Sequence, residues 1–387
     1  MAVNLPLYSR PLYSAYDVVV VGARAAGAST AMLLARAGLS VLVLDRGRYG
    51  LDTLSTHALM RGGVARLARW GVLPALRAAG TPPISSVTFH YEADAVSVDV
   101  RPGDGVDALC APRRTVLDPA LVDAAVRSGA EVRYGFEVTA LDIDVEGRVA
   151  GVRARSRRGP DVAVRAGLVI GADGVRSAVA RLAGSVVRHR ARNTGAYVYG
   201  YWSGVTTRGY EWAYRPSAAA GLIPTNDGRV CVFAGSSPAR VGRGGREVIG
   251  ALLAEASPGF AARVAAGTVH GVVRTFTGRP GHLRQACGPG WALVGDAGSW
   301  KDPISSSGLS DALRDAELLA GAVVADALGD FEAERDRRTR PLLDLADRVA
   351  GYRWDATEIR ALVRAMSDAM RDDVSERPRS PENAVRR

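Results

Sequence analysis

Cysteine is scarce in this sequence, and its scarcity excludes two classes of small, cross-linked protein. The 387 residues include only Cys110, Cys231 and Cys287, which are far apart and form no CxxC pair, and the five histidines are not clustered. A disulfide framework or a structural zinc site needs such clusters, so we expect no metal centre. A reducing compartment is then the default location, and we expect the cytoplasm.

Long apolar runs are also absent. No stretch reaches the roughly 18 apolar residues that a membrane-spanning helix needs, and the first 15 residues contain no apolar run of the signal-peptide type. We therefore expect neither a membrane span nor a signal peptide. Hydrophobic residues make up 47% of the chain and charged residues 23%. This composition and length suit two domains, or one large α/β unit with an insertion.

Lysine is nearly missing. Lys301 is the single lysine among 50 basic residues, the remaining 49 are arginine, and the net charge is +10. The arginines are scattered through predicted helices and are not gathered with aromatic residues into one strip, so we expect no nucleic-acid partner. A phosphate-bearing cofactor accounts for part of the positive excess.

The spacing of apolar residues predicts a β-α-β unit near the beginning of the chain. Asp17–Val21 is an apolar strand, residues 25–37 have helical apolar spacing and stop at Gly38, and Val41–Leu44 is a second strand. Asp45 follows that strand, 18 residues beyond Gly27. This arrangement is the frame in which dinucleotide-binding turns occur.

The turn between the first strand and the helix, Gly22-Ala-Arg24-Ala25-Ala26-Gly27, has the spacing of a dinucleotide fingerprint without its middle glycine. Gly22 permits a tight turn, and Gly27 lets the helix pack close to the sheet. N–H groups at the helix start suit a pyrophosphate, and Asp45 suits the hydroxyls of a ribose. Arg24 stands in place of the middle glycine, where its guanidinium can bind phosphate. A β-α-β unit with a fortuitous glycine pair is the alternative.

Two later segments each place an aspartate after an apolar strand. Asp173 follows Val169–Gly171, and Asp296 follows Trp291–Val294 and one glycine. A loop with Pro303 and several serines then leads into a predicted helix at Gly308. The start of that helix can donate N–H groups to negative charge, such as the pyrimidine end of a reduced flavin.

The rest of the chain follows strand and helix patterns in turn. The predicted elements are strands within 86–100, a helix over 118–129, strands within 131–154, strands rich in Tyr, Trp and Val over 186–280 with one helix near 246–256, a helix over 308–328 and a helical tail over 341–372.

Together the three segments resemble the FAD-dependent monooxygenases of the para-hydroxybenzoate hydroxylase type. The resemblance is greatest to a bacterial branch of NAD(P)- and FAD-dependent oxidoreductases, on segments such as Asp52-Thr-Leu-Ser55-Thr56-His57 and Lys301-Asp-Pro303. It extends over about 17–330. What it implies for fold, cofactor and activity is an expectation for this chain.

The resemblance implies non-covalent FAD as the cofactor and assigns it a set of binding residues. These are Gly22, Arg24, Ala25, Ala26, Gly27, Asp45, Arg46, Ser55, Thr56, Arg61, Arg114, Val138, Asp173, Gly295, Asp296, Pro303, Gly308, Leu309 and Ser310. In the family pattern, 22–27 holds the pyrophosphate, Arg61 and Arg114 lie near it and the ribityl chain, and Val138 lies by the adenine. Asp296 binds the ribityl hydroxyls, and 308–310 faces the flavin N1–C2=O edge. For Arg61, a solvated helix arginine is the alternative.

The resemblance also implies an activity. NAD(P)H, bound transiently, reduces FAD; O₂ then gives a C4a-(hydro)peroxyflavin, which oxygenates an apolar or aromatic small molecule, in the family often in secondary metabolism. The sequence leaves open NADH or NADPH, the kind of oxygenation, and monomer or homodimer. A reductase of the geranylgeranyl reductase type is the alternative. A halogenase is disfavoured because Trp-x-Trp-x-Ile-Pro is absent and Lys301 lies in the flavin loop, and a flavin-binding module without catalysis is disfavoured because Gly295-Asp296 is intact.

The expected fold class is α/β, with a Rossmann-like FAD-binding domain, a second, mostly β substrate domain and a C-terminal helical segment. We assign 1–81, 111–185 and 281–330 to the FAD-binding domain and 82–110 with 186–280 to the substrate domain. Helices over 331–374 and a disordered tail over 375–387 complete the chain.

Aromatic residues, only 6% of the chain, are concentrated in one region. Tyr197, Tyr199 and Tyr201 recur at every second position, which places them on one face of a strand, and Trp212 and Tyr214 repeat the spacing on what we take to be the neighbouring strand. These five residues are predicted to form an aromatic wall for the substrate, with a sheet face packed on helices as the alternative. Trp300 is a further candidate residue on the substrate side. His57 is the candidate catalytic residue, with a structural role as its alternative.

Overall fold

The computed structural model describes residues 15–375 with the exception of 93. The strands are β1 (Ala15–Val21), β2 (Val41–Asp45), β3 (Ser86–Tyr91), β4 (Asp94–Asp99), β5 (Glu131–Tyr134), β6 (Phe136–Ile143), β7 (Val149–Ser156), β8 (Val162–Gly171), β9 (Val187–Arg190), β10 (Ala196–Ser203), β11 (Tyr210–Arg215), β12 (Ala218–Thr225), β13 (Arg229–Ser236), β14 (Thr268–Phe276), β15 (His282–Arg284), β16 (Cys287–Gly288), β17 (Trp291–Leu293) and β18 (Ser299–Trp300). The helices are α1 (Ala25–Arg36), α2 (Arg61–Arg69), α3 (Leu73–Ala78), α4 (Arg114–Arg127), α5 (Ala178–Leu182), α6 (Pro238–Val241), α7 (Arg246–Ala256), α8 (Pro258–Ala265), α9 (Gly308–Val324), α10 (Leu328–Ala350) and α11 (Ala356–Ser375). The predicted tail beyond 375 and the first 14 residues lie outside the described residues.

The first sheet carries the nucleotide-binding unit. Its central order is β16-β17-β8-β1-β2-β5, parallel from β17 to β5, and a β6–β7 hairpin joins it through β8. Val18 and Val20 pack into the core on one face, while Val19 and Val21 pack into a separate core on the other. Burial on both faces explains why β1 is a continuous apolar run. α1 packs against α4 and α9.

The second sheet has the order β14-β10-β13-β12-β11-β3-β4 and is antiparallel except for the β11–β3 pair. The face of β10 that carries Val198 packs with Ile249 of α7 and Phe260 of α8, while the three tyrosines point to the opposite face. β3 and β4 come from 86–99 and the other strands from 196–276. The α/β class and the mostly β second unit are confirmed.

The structure corrects three predictions about these elements. β11, with Trp212 and Tyr214, is not the neighbour of β10, because β13 and β12 lie between them. The region predicted as strands with one helix contains three, because α6 precedes α7 and α8 follows it. The tail forms two helices, and α10 begins 13 residues before Pro341, which lies inside it.

The C-terminal helices cover the first unit from one side. α10 packs against α9, and α11 packs against α2. Tyr352 and Trp354, in the link between α10 and α11, are buried. We propose that the chain divides into the domains predicted from the sequence, since the two large sheets use separate parts of it.

Candidate functional site

A deep cleft lies along the carboxyl ends of β1, β2, β8 and β17, where open α/β sheets bind their ligands. Its volume is about 880 Å³, at the upper end of the roughly 300–1,000 Å³ range of small-molecule and cofactor pockets. Of the residues assigned to the cofactor from the sequence, fifteen line it: Gly22, Arg24, Ala25, Ala26, Asp45, Arg46, Ser55, Thr56, Arg114, Val138, Asp173, Asp296, Pro303, Gly308 and Leu309.

The turn after β1 forms a close-packed cradle. Gly22 has φ +106°, and a Cβ there would lie 2.5 Å from the carbonyl oxygen of Ala172. A Cβ on Gly27 would lie 1.9 Å from the carbonyl oxygen of Gly22. Only glycine fits at either place. α1 begins at Ala25 with no acidic residue in its first turn, so its free N–H groups present positive potential to an anion.

Two arginines add charge to this part of the cleft. A guanidinium nitrogen of Arg24 lies 3.3 Å from Asp118, and Arg114 binds the same carboxylate through two nitrogens at 2.8–3.0 Å. Both guanidinium groups lie beside one carboxylate in this part of the cleft, where they suit the negative charge of a diphosphate.

Asp45 and Asp173 organise backbone at the cleft. Asp45 accepts hydrogen bonds from the backbone N–H of Ala23 at 2.7 Å and of Gly47 at 2.6 Å. Asp173 accepts from the N–H groups of Ala178 at 2.6 Å and Val179 at 3.2 Å, at the start of α5. Each carboxylate oxygen has a second lone pair, so Asp45 keeps capacity for a ribose hydroxyl.

The far part of the cleft is bordered by Asp296 and the start of α9. Burial, with the nearby carboxylates Asp311 and Asp315, raises the pKa of Asp296 to about 6, against the opposing effect of Arg114 and Lys301. A carboxylate with poor access to water gains most from ligand hydroxyls that hydrogen-bond to it. The ribityl chain of a flavin carries such hydroxyls.

The sequence reasoning gave no binding role to Lys301, which lines the cleft while its Nζ lies 2.8 Å from Asp311. Arg314 binds Asp311 and Asp315, each at 2.9 Å, and both are almost fully buried. The carboxylate in the first turn of α9 is thus neutralised. Phe276 and Arg157 also line the cleft without having been predicted. Two sequence signals pointed to Lys301: it is the sole lysine, and it stands in the Lys301-Asp-Pro303 segment that carries part of the family resemblance.

Four predicted cofactor residues lie off the cleft surface. Gly27 acts through packing, as described above. Gly295, with φ +58°, lies against Ala26. Ser310 accepts a hydrogen bond from the N–H of Met60 at 3.1 Å. Arg61 donates to the carbonyl oxygens of Arg101 at 2.8 Å and Gly103 at 2.7 Å, which places its charge away from the cleft.

The predicted substrate residues separate into two groups. Trp300 lines the cleft beside Phe276, with ring centroids 5.8 Å apart, and donates its indole N–H to the carbonyl oxygen of Arg279 at 3.2 Å. The five residues of the predicted wall do not reach the cleft surface. Trp212 stacks on Phe89 at 5.6 Å, and Tyr214 stacks on Tyr91 at 6.0 Å, both inside the core.

The three tyrosines of β10 contact the cleft-lining segments from behind. Tyr197 hydrogen-bonds through its hydroxyl to buried Asp302, and the Tyr199 hydroxyl accepts from the N–H of Ser55 at 3.2 Å. The Tyr201 hydroxyl meets Nε2 of His57. These tyrosines therefore support the loops that form the wall of the cleft.

His57 lines the cleft and is 1% exposed. Burial, with Arg114, Arg113 and Arg274 nearby, lowers the pKa of His57 well below its usual 6.5. The imidazole is therefore neutral at physiological pH. Among residues 15–375, excluding residue 93, no cluster of three or more His, Cys, Asp or Glu side chains is arranged to hold a metal ion. None of the helices within those residues combines the length and the apolar composition that a membrane-spanning helix needs.

Fold and cleft together are those of an α/β protein of the dinucleotide-binding class. The chain belongs to the FAD binding domain family, whose model matches residues 15–330. It is a flavin-dependent oxidoreductase.

Two curated relatives and one solved structure illustrate the similarity. Digeranylgeranylglycerophospholipid reductase 1 of Methanococcoides burtonii is 30% identical over 326 residues, covering 81% of this chain and 75% of that protein. Menaquinone reductase of Mycolicibacterium smegmatis is 26% identical over 356 residues, covering 82% and 78%. PqsL of Pseudomonas aeruginosa in complex with 2-aminobenzoylacetate is 20% identical, with a TM-score of 0.76 over 92% of this chain and 100% of that one. The last likeness shows the fold.

Proposed function

We propose that the protein is an FAD-dependent monooxygenase of the para-hydroxybenzoate hydroxylase type, which uses NAD(P)H and O₂ to oxygenate an apolar or aromatic small molecule. The observation that carries the proposal is that Phe276 and Trp300 line the same cleft as the residues suited to FAD. PqsL, which shares the fold, is described as a probable FAD-dependent monooxygenase. The place in secondary metabolism belongs to the same proposal.

The residues of the cleft suit FAD along its whole length. The start of α1 with Arg24 and Arg114 would bind the diphosphate, Asp45 the adenosine ribose, and Val138 would border the adenine. Asp296 would bind the ribityl hydroxyls, and the N–H groups of Gly308 and Leu309 the pyrimidine edge. Bound FAD would supply the acceptor for hydride and the site of O₂ activation.

A non-covalent flavin is supported by the chemistry of the lining. Covalent attachment uses a nucleophilic His, Cys or Tyr side chain, and His57 is the one such residue among the described residues that line the cleft. Its Nε2 is engaged with Tyr201. Acid precipitation is expected to release the flavin into the supernatant, and flavin retained in the pellet would contradict this part of the proposal.

Side chains at the flavin end can position an apolar substrate and keep water out. Phe276 and Trp300 offer aromatic surface, and the indole N–H of Trp300 is already satisfied by Arg279. An apolar ligand therefore meets no unpaired indole donor there. NAD(P)H is proposed as a transient reductant because the described residues contain one dinucleotide-binding β-α-β unit.

A reductase is the second candidate. The observation that favours it is that relatives 26–30% identical over about four-fifths of this chain are reductases of a prenyl lipid and of menaquinone. Such a function would use the same FAD site and the same apolar end of the cleft. It would transfer reducing equivalents to the substrate without incorporating oxygen.

Oxygen labelling separates the two. NAD(P)H oxidation is followed with 2-aminobenzoylacetate, menadione and geranylgeraniol as probes, aerobically under ¹⁸O₂ and anaerobically, with products identified by mass spectrometry. If the protein is a monooxygenase, its product carries one ¹⁸O atom, and no such product forms anaerobically. Anaerobic formation of a reduced product without label overturns the monooxygenase proposal and favours the reductase. Peroxide formation alone with all three probes leaves neither activity supported for these compounds.

A further inference from the structure

His57 has an unusual backbone conformation for a buried side chain. Its φ is +69°, in the left-handed region that residues other than glycine seldom adopt. It lies in a segment without helix or strand between β2 and α2, and its own N–H is held by the Ser55 hydroxyl at 3.1 Å. This backbone places the imidazole between the cleft and the second sheet.

The hydrogen bond between His57 and Tyr201 decides which imidazole nitrogen carries the proton. Burial raises the pKa of the Tyr201 phenol far above its usual value, so the hydroxyl keeps its proton. Among the described residues, Nε2 of His57 is the one acceptor that this hydroxyl meets. If Nε2 carried the proton instead, the buried phenol would lose its acceptor, which is costly. The arrangement therefore favours proton-free Nε2 and protonated Nδ1.

Nδ1 has no partner among the residues that the structure describes, and almost none of its surface is exposed. A buried N–H without an acceptor is rare in folded proteins, so this atom points to a ligand. His57 lines the cleft, so a ligand reaches Nδ1 after a small shift of residues 53–57. These residues belong to no helix or strand, and Ser55 and His57 are tied to β10 through hydrogen bonds to Tyr199 and Tyr201.

The charges around the ring keep it neutral. Arg113, Arg114 and Arg274 face it from the segment before α4, from α4 and from β14, and they disfavour the imidazolium. Asp52 lies 3.4 Å from Arg113 and 3.3 Å from Arg274, so it compensates only part of this charge. Arg113 also lies over the Tyr201 ring, 4.4 Å from its centroid, which holds the phenol in place.

We infer that Tyr201 is a positioning residue that fixes His57 as the Nδ1–H tautomer, and that this N–H donates a hydrogen bond to an acceptor atom of a ligand bound in the cleft. The acceptor is a carbonyl oxygen or ring nitrogen, supplied by the flavin or by the substrate. The contribution to turnover rests on the proposed function, whereas the tautomer does not.

Long-range ¹H–¹⁵N spectra of protein labelled only at histidine nitrogens test the tautomer directly. The chain has five histidines, and His57→Gln assigns the signal. The wild type is expected to show Nδ1–H from pH 6 to pH 8, and Tyr201→Phe a mixture of tautomers. Tyr49→Phe, which removes a hydroxyl bound to Asp123 instead, should leave the signal unchanged. Nε2–H in the wild type overturns the inference without any variant, as does an unchanged tautomer in Tyr201→Phe.

Two additions to the same sample identify the source of the acceptor. A downfield shift of the Nδ1 proton when FAD is added to flavin-free protein assigns it to the flavin, and a shift only with menadione and FAD assigns it to the substrate. No shift with either overturns the ligand part. Tyr201→Phe should also lower kcat/KM for NAD(P)H-dependent turnover of the probe that the oxygen-labelling experiment identifies by about 3- to 10-fold, the effect of one neutral hydrogen bond. A monooxygenase or a reductase outcome leaves the tautomer result unaffected.

Discussion

Three glycine-to-alanine substitutions on one turn and helix separate the two reasons for which glycine is needed there. Gly38 has φ +90° and open space where a Cβ would stand, so Gly38→Ala adds backbone strain alone. Gly27 is helical, and its Cβ would collide with the carbonyl oxygen of Gly22 at 1.9 Å, so Gly27→Ala adds collision alone. Gly22→Ala combines φ +106° with a contact of 2.5 Å to Ala172.

The expected losses of unfolding free energy follow from these distances. Left-handed strain costs about 1–2 kcal/mol, which is the whole effect at Gly38. At Gly27 alanine gains about 1 kcal/mol of helix propensity, but overpacking against backbone costs about 1–3 kcal/mol, so we expect a net loss of up to about 2 kcal/mol. Strain and overpacking together put Gly22→Ala at about 2–5 kcal/mol.

The assay is urea unfolding of the flavin-free proteins together with FAD titration by quenching of flavin fluorescence. Gly38→Ala lies at the opposite end of α1 from the cleft and should keep its FAD affinity. Gly22→Ala and Gly27→Ala should lose about tenfold or more, equivalent to about 1.4 kcal/mol, because the N–H groups at the helix start move. The reasoning is refuted if Gly27→Ala is as stable as the wild type and binds FAD with wild-type affinity.

Three other substitutions probe separate parts of the structure. Burial raises the pKa of Asp302 to about 6, so the folded state binds more protons than the unfolded state between about pH 4 and pH 6. Acidification from pH 7 to pH 4 should therefore stabilise the wild type by up to about 3 kcal/mol more than it stabilises Asp302→Asn. Equal pH dependence of the two proteins in urea unfolding would disprove this. Arg24→Met should raise the FAD dissociation constant about 10-fold, the loss of one charge-assisted hydrogen bond, whereas Arg61→Met should leave it unchanged; the reverse order in FAD titrations would favour the role predicted for Arg61 from the sequence. Trp212→Ala should cost about 3–5 kcal/mol of unfolding free energy without changing KM, and a raised KM at normal stability would restore Trp212 to the substrate wall.

The nucleotide-binding half of the site was predictable because its signals are local. Gly27 has to be glycine through its contact with Gly22 within the β1–α1 turn, and Asp45, Asp173 and Asp296 come just after apolar strands. Once these strands lie parallel in one sheet, their carboxyl ends meet along one edge. A pattern of strand, turn and helix is therefore enough to place these residues in one cleft.

The substrate side was less predictable because its contacts join distant parts of the chain. Alternation placed the tyrosines of β10 on one face of the strand, but it did not indicate which residues cover that face. In the structure Tyr197 contacts Asp302, and Tyr201 contacts His57. The sequence order of β10 and β11 also suggested a pair that the sheet does not form. Sheet order depends on connections that period-2 alternation does not encode.

By itself, the amino-acid sequence determined the α/β class, the dinucleotide-binding turn and the aspartates after the strands, since short-range sterics and hydrophobic periodicity act within a few residues. Tertiary structure alone decided that Arg61 points away from the cleft, that Lys301 is neutralised by Asp311, and that Trp212 is core. Those outcomes depend on which charges and surfaces meet across more distant parts of the chain. Charge pairing and burial are properties of the packed molecule, and neither has a period in the sequence.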